Sequence, residues 1–463
     1  MSHAGPPGPS RSHGISLAVR VRHPARGAFF TLAGWLLAGS VAAGEAAPPT
    51  DVLLESYLQD ALHSRPELTQ AAAEVRADSE RVPQAGALAD PVLTLGLQND
   101  SFTRYSIGQM ETSWYTVMVS QAFPGPQKRG LREEVARAQP ALATAALERS
   151  LLSVQAEVRR AYVDLLLVRD QLKLLGKLGA LWEKSEKLAK ARYSVGEAPQ
   201  SDLLRAQLQL TRLRLQRLGL NAKEHVQAAA LNRARGHPVD EPVVTTAGLE
   251  HLQAPPRLTS ADAEADAEAR SPELRQARLG EAQSKSRLAL ARADRWPDYS
   301  VAAGVMPRGR LEPMWQLLVG FSLPVYAGSK QQRAVAEAGS RNEATSFGEQ
   351  AVLQQLRLRT AQRSAVLDSL ERTNTLYREA LLVQSEVTAA STLAQYEAGK
   401  VPFASALEAL GGFLGDEGAY LESMAQALRV SIAQVELSLE EPALLTAAAR
   451  GEDSPAPSGS GGM

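Results

Sequence analysis

Along this chain two hydrophobic rhythms take turns, and each occurs twice. In Pro91–Asn99, Leu93, Leu95 and Leu97 lie on one side, with Thr94, Gly96 and Gln98 on the other. In Trp114–Gln121, Tyr115, Val117 and Val119 oppose Thr116, Met118 and Ser120. Further on, Tyr299, Val301, Ala303 and Val305 oppose Ser300, Ala302 and Gly304. Then Trp315, Leu317, Val319, Phe321 and Leu323 oppose Gln316, Gly320 and Ser322, with Leu318 out of step. A period of two means strands with one apolar and one polar face. The pattern predicts strands over about 91–99, 113–122, 297–306 and 314–323, with polar hairpin tips at Asp100–Ser113 and Pro307–Pro313.

Between and after these strands the spacing becomes helical. Leu147, Leu151, Val154, Val158, Ala161, Leu165, Val168, Leu172 and Leu175 step four and three residues apart, a heptad seam. Leu204, Leu208, Leu215 and Leu218, with Thr211 among them, extend it beyond a break at Gly196. In the second half Leu367, Leu370, Tyr377 and Leu381 take the same role. Long helices follow over about 126–193, 200–234, 327–395 and 402–440, the longest spanning about 100 Å at 1.5 Å per residue. Pro140 falls inside the first and is expected to kink or interrupt it.

The two rhythms belong to one repeated unit. In 191–207 (ARYSVGEAPQSDLLRAQ) and 394–410 (AQYEAGKVPFASALEAL), Tyr193, Gly196 and Pro199 fall on Tyr396, Gly399 and Pro402. In 120–130 and 320–330, Pro124 falls on Pro324, each time between an apolar strand and a polar helix start. Two landmarks at nearly equal offsets indicate a tandem duplication, 51–250 and 256–441, joined by the Pro- and Gly-bearing stretch 236–256. Before it, Arg20, Arg22 and Arg26 precede the apolar run 28–43, which ends in small residues. This reads as an export signal over 1–43 and is too short for a convincing membrane helix. The alternative is an N-terminal anchor. Residues 451–463 read as a disordered tail.

Composition narrows the function classes. Fifty Lys and Arg nearly balance 51 Asp and Glu, which leaves no basic face for nucleic acid. Removing 1–43 takes away four arginines and no acid, moving the formal charge from −1 to about −5. Aromatics are 5%, as suits long helices. Cysteine is absent, so disulfides, thiolate metal sites, cysteine nucleophiles and a lipid-modified cysteine are all ruled out. The seven histidines make no HExxH motif and no i,i+4 pair, and 326–330 (YAGSK) lacks the first glycine of a phosphate loop. Neither enzyme chemistry nor a cofactor is expected.

No other stretch resembles a transmembrane helix, so a membrane could be crossed only with strands. Four strands cannot close a barrel, and open edges are not tolerated in hydrocarbon. Three protomers, with twelve strands, can. Trp114, Trp296 and Trp315 near strand ends suit the membrane interface. The plainer readings are a soluble coiled coil whose strands pack on one another, or a periplasmic coiled-coil adaptor without a barrel. Adaptors, however, carry one hairpin flanked by compact β-rich domains.

The duplication, the strand–proline–helix junctions at Pro124 and Pro324, and the YxxGxxP turns at Tyr193–Pro199 and Tyr396–Pro402 resemble the TolC-like outer-membrane efflux factors. The resemblance covers about 51–441. The stretches 89–100 (ADPVLTLGLQND) and 119–136 (VSQAFPGPQKRGLREEVA) look most like its cation and heavy-metal branch. It implies a mainly α fold with β: tandem helical hairpins forming an α-barrel, plus four amphipathic strands contributing to a trimeric 12-stranded transmembrane β-barrel. It also implies a passive conduit for small solutes, possible metal cations among them, across the periplasm and outer membrane. The partners implied are a periplasmic adaptor, an inner-membrane pump and outer-membrane lipid.

In such a duct the chemistry lies in gating, docking and lumen charge. The two turns become periplasmic tips, with Val195, Gly196, Glu197, Gly399 and Lys400 as candidate adaptor contacts; the plainer account is that Gly and Pro only build the turn. The family often closes its tunnel with carboxylates six and nine residues after the tip glycine. Here those positions are Asp202 and Arg205, then Ser405 and Glu408, so Ser405 and Arg205 depart from the pattern. The alternative for Asp202 and Glu408 is a solvated helical face. Arg205, Arg212, Arg214 and Arg217 make the following helix basic, either pairing with a neighbouring helix or lining the lumen. Met110, Met118, Met306 and Met314 cluster near the strands, where packing is their ordinary role.

Overall fold

The computed structural model describes residues 51–245, 248–252 and 259–439. The expected export signal and tail lie outside them. The chain opens on α1 (Val52–Ser64) and α2 (Pro66–Gly86), followed by strands β1 (Val92–Gln98) and β2 (Trp114–Phe123). Two long helices come next, α3 (Lys128–Ser194) and α4 (Gln200–Arg235), and then a 3₁₀ turn at Leu249–His251. The second half runs through α5 (Ser260–Arg270), α6 (Pro272–Ala293), β3 (Tyr299–Arg308), β4 (Leu311–Phe321), α7 (Gln331–Leu376), α8 (Leu382–Glu397) and α9 (Phe403–Glu436).

Four of these helices go beyond the sequence reading, and they extend the duplication. A proline disfavours helical backbone in the residue before it and suits the first helical turn. Arg65 and Ser271 accordingly adopt extended backbone, ending α1 and α5, while Pro66 and Pro272 begin α2 and α6. Ser271 also caps α6 through its hydroxyl, which accepts from the Leu274 amide at 3.2 Å. Arg65 instead donates to the Arg233 and Ala234 carbonyls at the end of α4 and pairs with Glu157 at 3.1 Å. The same break is held differently in each copy.

The strands form one antiparallel sheet in the order β1-β2-β3-β4, with β2 and β3 joining the copies. Leu93 faces Val119, Val119 faces Ala303 and Ala303 faces Leu317, so the apolar positions of all four strands share one side. Among the described residues the outer edges of β1 and β4 have no strand partner. The polar tip expected over Pro307–Pro313 shrinks to Gly309 and Arg310, because β3 and β4 continue through both prolines. Gly309 takes the left-handed backbone the tight turn requires, at φ 66°, and a register irregularity sits at Pro307. Trp315 therefore lies inside β4 and not at its start.

Helix α3 is unbroken through Pro140, against the expectation of an interruption. Its 67 residues equal the combined 46, 5 and 16 residues of α7, a π-helical turn at Tyr377–Leu381, and α8. Midway along α3, Val158, Tyr162, Leu165 and Leu166 are buried against α1 (Leu54, Leu58, Ala61) and the end of α4 (Leu231, Ala234). A smaller core joins Ala267, Leu274, Leu356 and Leu437. Beyond the Gly196 break the seam corrects the sequence reading. In the first half of α4 the buried positions are Ala206, Leu210 and Leu213, whereas Leu204, Leu208, Leu215 and Leu218 are exposed. Leu204 and its partners form a separate stripe, one residue round the helix or more from the face that meets α3. Leu381 is likewise exposed.

Candidate functional site: hairpin tips and sheet face

At the tips each long helix ends on a glycine in left-handed backbone, Gly196 at φ 75° and Gly399 at φ 73°. The following amide folds back in both: Glu197 donates to the Arg192 carbonyl at 2.8 Å and Lys400 to that of Gln395 at 2.9 Å. Pro199 and Pro402 then start α4 and α9. Val195, Gly196, Glu197, Gly399 and Lys400 are all exposed at this end.

The two tips lock together by a contact the sequence reading missed. Arg192 donates to the Tyr396 carbonyl at 2.8 Å, and its guanidinium lies 5.7 Å from the centre of the Tyr396 ring. Tyr396 stacks edge-on against Phe403, which meets Trp182 in the same way. The aligned tyrosines consequently differ: Tyr193 is 44% exposed and Tyr396 only 2%. The available signals are the exchanges of Arg192 for Gln395 and of Gln200 for Phe403 at matching positions.

Burial, and after it the charge of Asp202, pushes the Tyr396 phenol above its usual range, with Arg192 opposing. Its hydroxyl is buried without a hydrogen-bond partner among the described residues. Asp202 is half-buried within electrostatic reach of this group, and Ser405 is half-buried at the start of α9. Arg205 and Glu408 are exposed. Within one protomer the four candidate gate residues make no hydrogen-bonded cluster through their side chains. None of Arg205, Arg212, Arg214 and Arg217 forms an ion pair among the described residues. No group of His, Asp or Glu with metal-binding geometry occurs among the described residues.

At the other end the sheet shows a bare apolar face. Leu93, Leu95, Leu97, Trp315, Leu317, Val319 and Phe321 are each more than half exposed. No described helix is long and apolar enough to cross a membrane. At the base of the sheet Lys128, almost wholly buried, donates to Asp298 at 2.9 Å, and the Gly125 amide donates to the same oxygen at 2.7 Å. This ties the β2–α3 junction of one copy to the α6–β3 junction of the other.

Known proteins share this arrangement. Residues 57–237 match the family model described as outer membrane efflux protein. The matched segment takes in α2, β1, β2, α3, α4 and most of α1. Solved structures extend the likeness over both copies. CusC, described for transmembrane channel formation, superposes with TM-score 0.72 at 16% identity, covering 86% of this chain and 95% of its own. The outer membrane protein VceC of Vibrio cholerae gives 0.69 at 17%, covering 83% and 95%. The outer membrane channel MtrE of Neisseria gonorrhoeae, in its open state, gives 0.70 at 15%, covering 85% and 95%. Comparison with curated protein sequences gives no match. The fold is that of these outer-membrane channel structures.

Proposed function

We propose that the protein is one protomer of a homotrimeric outer-membrane exit duct, a passive conduit that receives small solutes from an inner-membrane pump through a periplasmic adaptor. One observation carries the reading: a four-stranded sheet with a bare apolar face and two unpaired edges stands at one end of two hairpins about 100 Å long. In water that apolar face would stay exposed and the edges would invite pairing with other chains, whereas a closed barrel in lipid covers the face and pairs both edges. The exposed Leu204, Leu208, Leu215 and Leu218 stripe on α4 suits a neighbouring protomer in the tunnel wall. Metal cations are the solute class proposed, on the strand and junction sequences that resemble the cation and heavy-metal branch.

Asp202 and Glu408, repeated by threefold symmetry, would place carboxylates round the tunnel entrance, with Ser405 and Arg205 as the divergent positions. The exposed residues Val195, Gly196, Glu197, Gly399 and Lys400 would meet the adaptor. Fractionation should find the protein in the outer membrane as a heat-modifiable oligomer; a soluble periplasmic monomer refutes the duct. In planar bilayers its pores should be cation-selective. Asp202→Asn and Glu408→Gln should each lower that selectivity, and together nearly abolish it. Unchanged conductance and selectivity in the double variant refutes the gate assignment and leaves the duct intact.

A further inference from the structure

The trimer reading leaves open how β4 of one protomer meets β1 of the next. We infer a specific register for that seam: Leu323 faces Leu93, Phe321 faces Leu95, Val319 faces Leu97 and Leu318 faces Gln98 of the neighbour. The inference rests on the barrel reading above and adds a pairing that the single chain does not contain.

Three independent observations lead to it. The apolar sides of β1 and β4 must face the same way, which admits only slips of an even number of residues. The copies then supply a template, because the seam between them is already built inside the protomer. There Phe123 faces Tyr299, Gln121 faces Val301 and Val119 faces Ala303. Pro124 corresponds to Pro324 and Pro297 to Pro91, so Phe123, Gln121 and Val119 become Leu323, Phe321 and Val319. Tyr299, Val301 and Ala303 become Leu93, Leu95 and Leu97. Every substituted pair is apolar on both sides.

Copy equivalence alone tolerates a slip of two residues. Ser120 faces Val92, whereas its counterpart Gly320 faces Ser300 and not Asp298. Barrel closure supplies the third constraint. Following partners round one protomer leads from Leu93 to Val119, Ala303 and Leu317. In the inferred register Leu317 meets Asn99 of the next chain, a climb of six residues per protomer. Three such climbs over twelve strands tilt the strands by about 47°, close to the usual range of roughly 35–45°. A slip of two one way gives about 35°, and the other way about 55°. Closure therefore disfavours the steep register; transferring the β2–β3 pairing without a slip gives the register of about 47°, and cross-linking separates it from that of about 35°.

The chain contains no cysteine, so the seam can be mapped without removing any. In one chain β1 and β4 stand three strand spacings apart, about 14 Å, beyond disulfide reach. A bond between them must join two protomers. Leu97→Cys is combined in turn with Leu317→Cys, Val319→Cys or Phe321→Cys, and Gln98→Cys with Gln316→Cys, Leu318→Cys or Gly320→Cys. Neighbouring pairs alternate between bonded and non-bonded sites, so one of the two series offers the closer Cα approach. Each variant is purified in detergent, its native mass is measured, and it is oxidised and run under denaturing conditions. The inferred register gives a covalent dimer and trimer ladder with Val319→Cys or Leu318→Cys and at most traces otherwise. A ladder confined to Leu317/Gln316 or to Phe321/Gly320, or none from trimeric variants, overturns the register and spares the trimer. A monomeric native mass in wild type and variants overturns both.

Discussion

Gly196 and Gly399 occupy matching turns, yet their surroundings make different demands. A Cβ at Gly196 would meet nothing within 4 Å, whereas one at Gly399 would lie 2.5 Å from Arg192 Nη2. Both backbones are left-handed, so alanine at either position costs about 1 kcal/mol in the turn. Only Gly399→Ala also displaces the arginine that holds the two tips together. Hydrogen exchange in the tip segments should therefore rise modestly in Gly196→Ala and clearly more in Gly399→Ala, with Arg192→Ala resembling the latter. Equal behaviour of the two glycine variants would show that the Arg192 contact does not couple the tips. The sequence made the turns legible because glycine and proline have few other reasons to recur at that spacing. It left the lock unread: Tyr193 and Tyr396 align as equals, and only the packing of Phe403 and Trp182 buries one of them.

For whole elements, the readable features were those with periodic patterns of their own. Alternation revealed four strands and heptad spacing the long helices, while α1, α2, α5 and α6 announce themselves only through Pro66 and Pro272. The stripe on α4 was misread because leucines at heptad spacing do not say which partner they face. How the elements are joined is a matter of charge. Burial raises the Asp298 carboxyl, but the hydrogen bonds from Lys128 and the Gly125 amide, with the charges of Lys128 and Arg132, outweigh it and hold it below the usual carboxylate range. A carboxylate lowered in the fold contributes stability above its unfolded pKa of about 4 and loses it as pH falls further. Asp298→Asn should thus lower the unfolding temperature at pH 7, with the gap from wild type closing below about pH 4. A gap that persists unchanged at pH 3 would mean that the junction depends on the shape of Asp298 and not on its charge.

At the scale of the assembled molecule, the decisive feature is that one sheet presents two chemically opposite faces. The side carrying Leu93, Leu95 and Leu97 would meet lipid, and the side carrying Thr94 and Gly96 would meet the water-filled lumen. An arginine on the lipid face near the bilayer midplane costs about 2–4 kcal/mol per protomer, and threefold symmetry repeats the cost. On the lumen side an arginine keeps its water and changes only the field the solute crosses. Leu95→Arg should therefore reduce or abolish the heat-modifiable oligomer in outer-membrane fractions. Its neighbour Thr94→Arg should assemble at near wild-type levels and shift bilayer selectivity toward anions. The two residues are adjacent in sequence and both lie on β1, so general damage to the strand would affect both variants alike. If Thr94→Arg failed to assemble while Leu95→Arg succeeded, the faces would be assigned the wrong way round. If both assembled with unchanged selectivity, the sheet would not line a conducting pore.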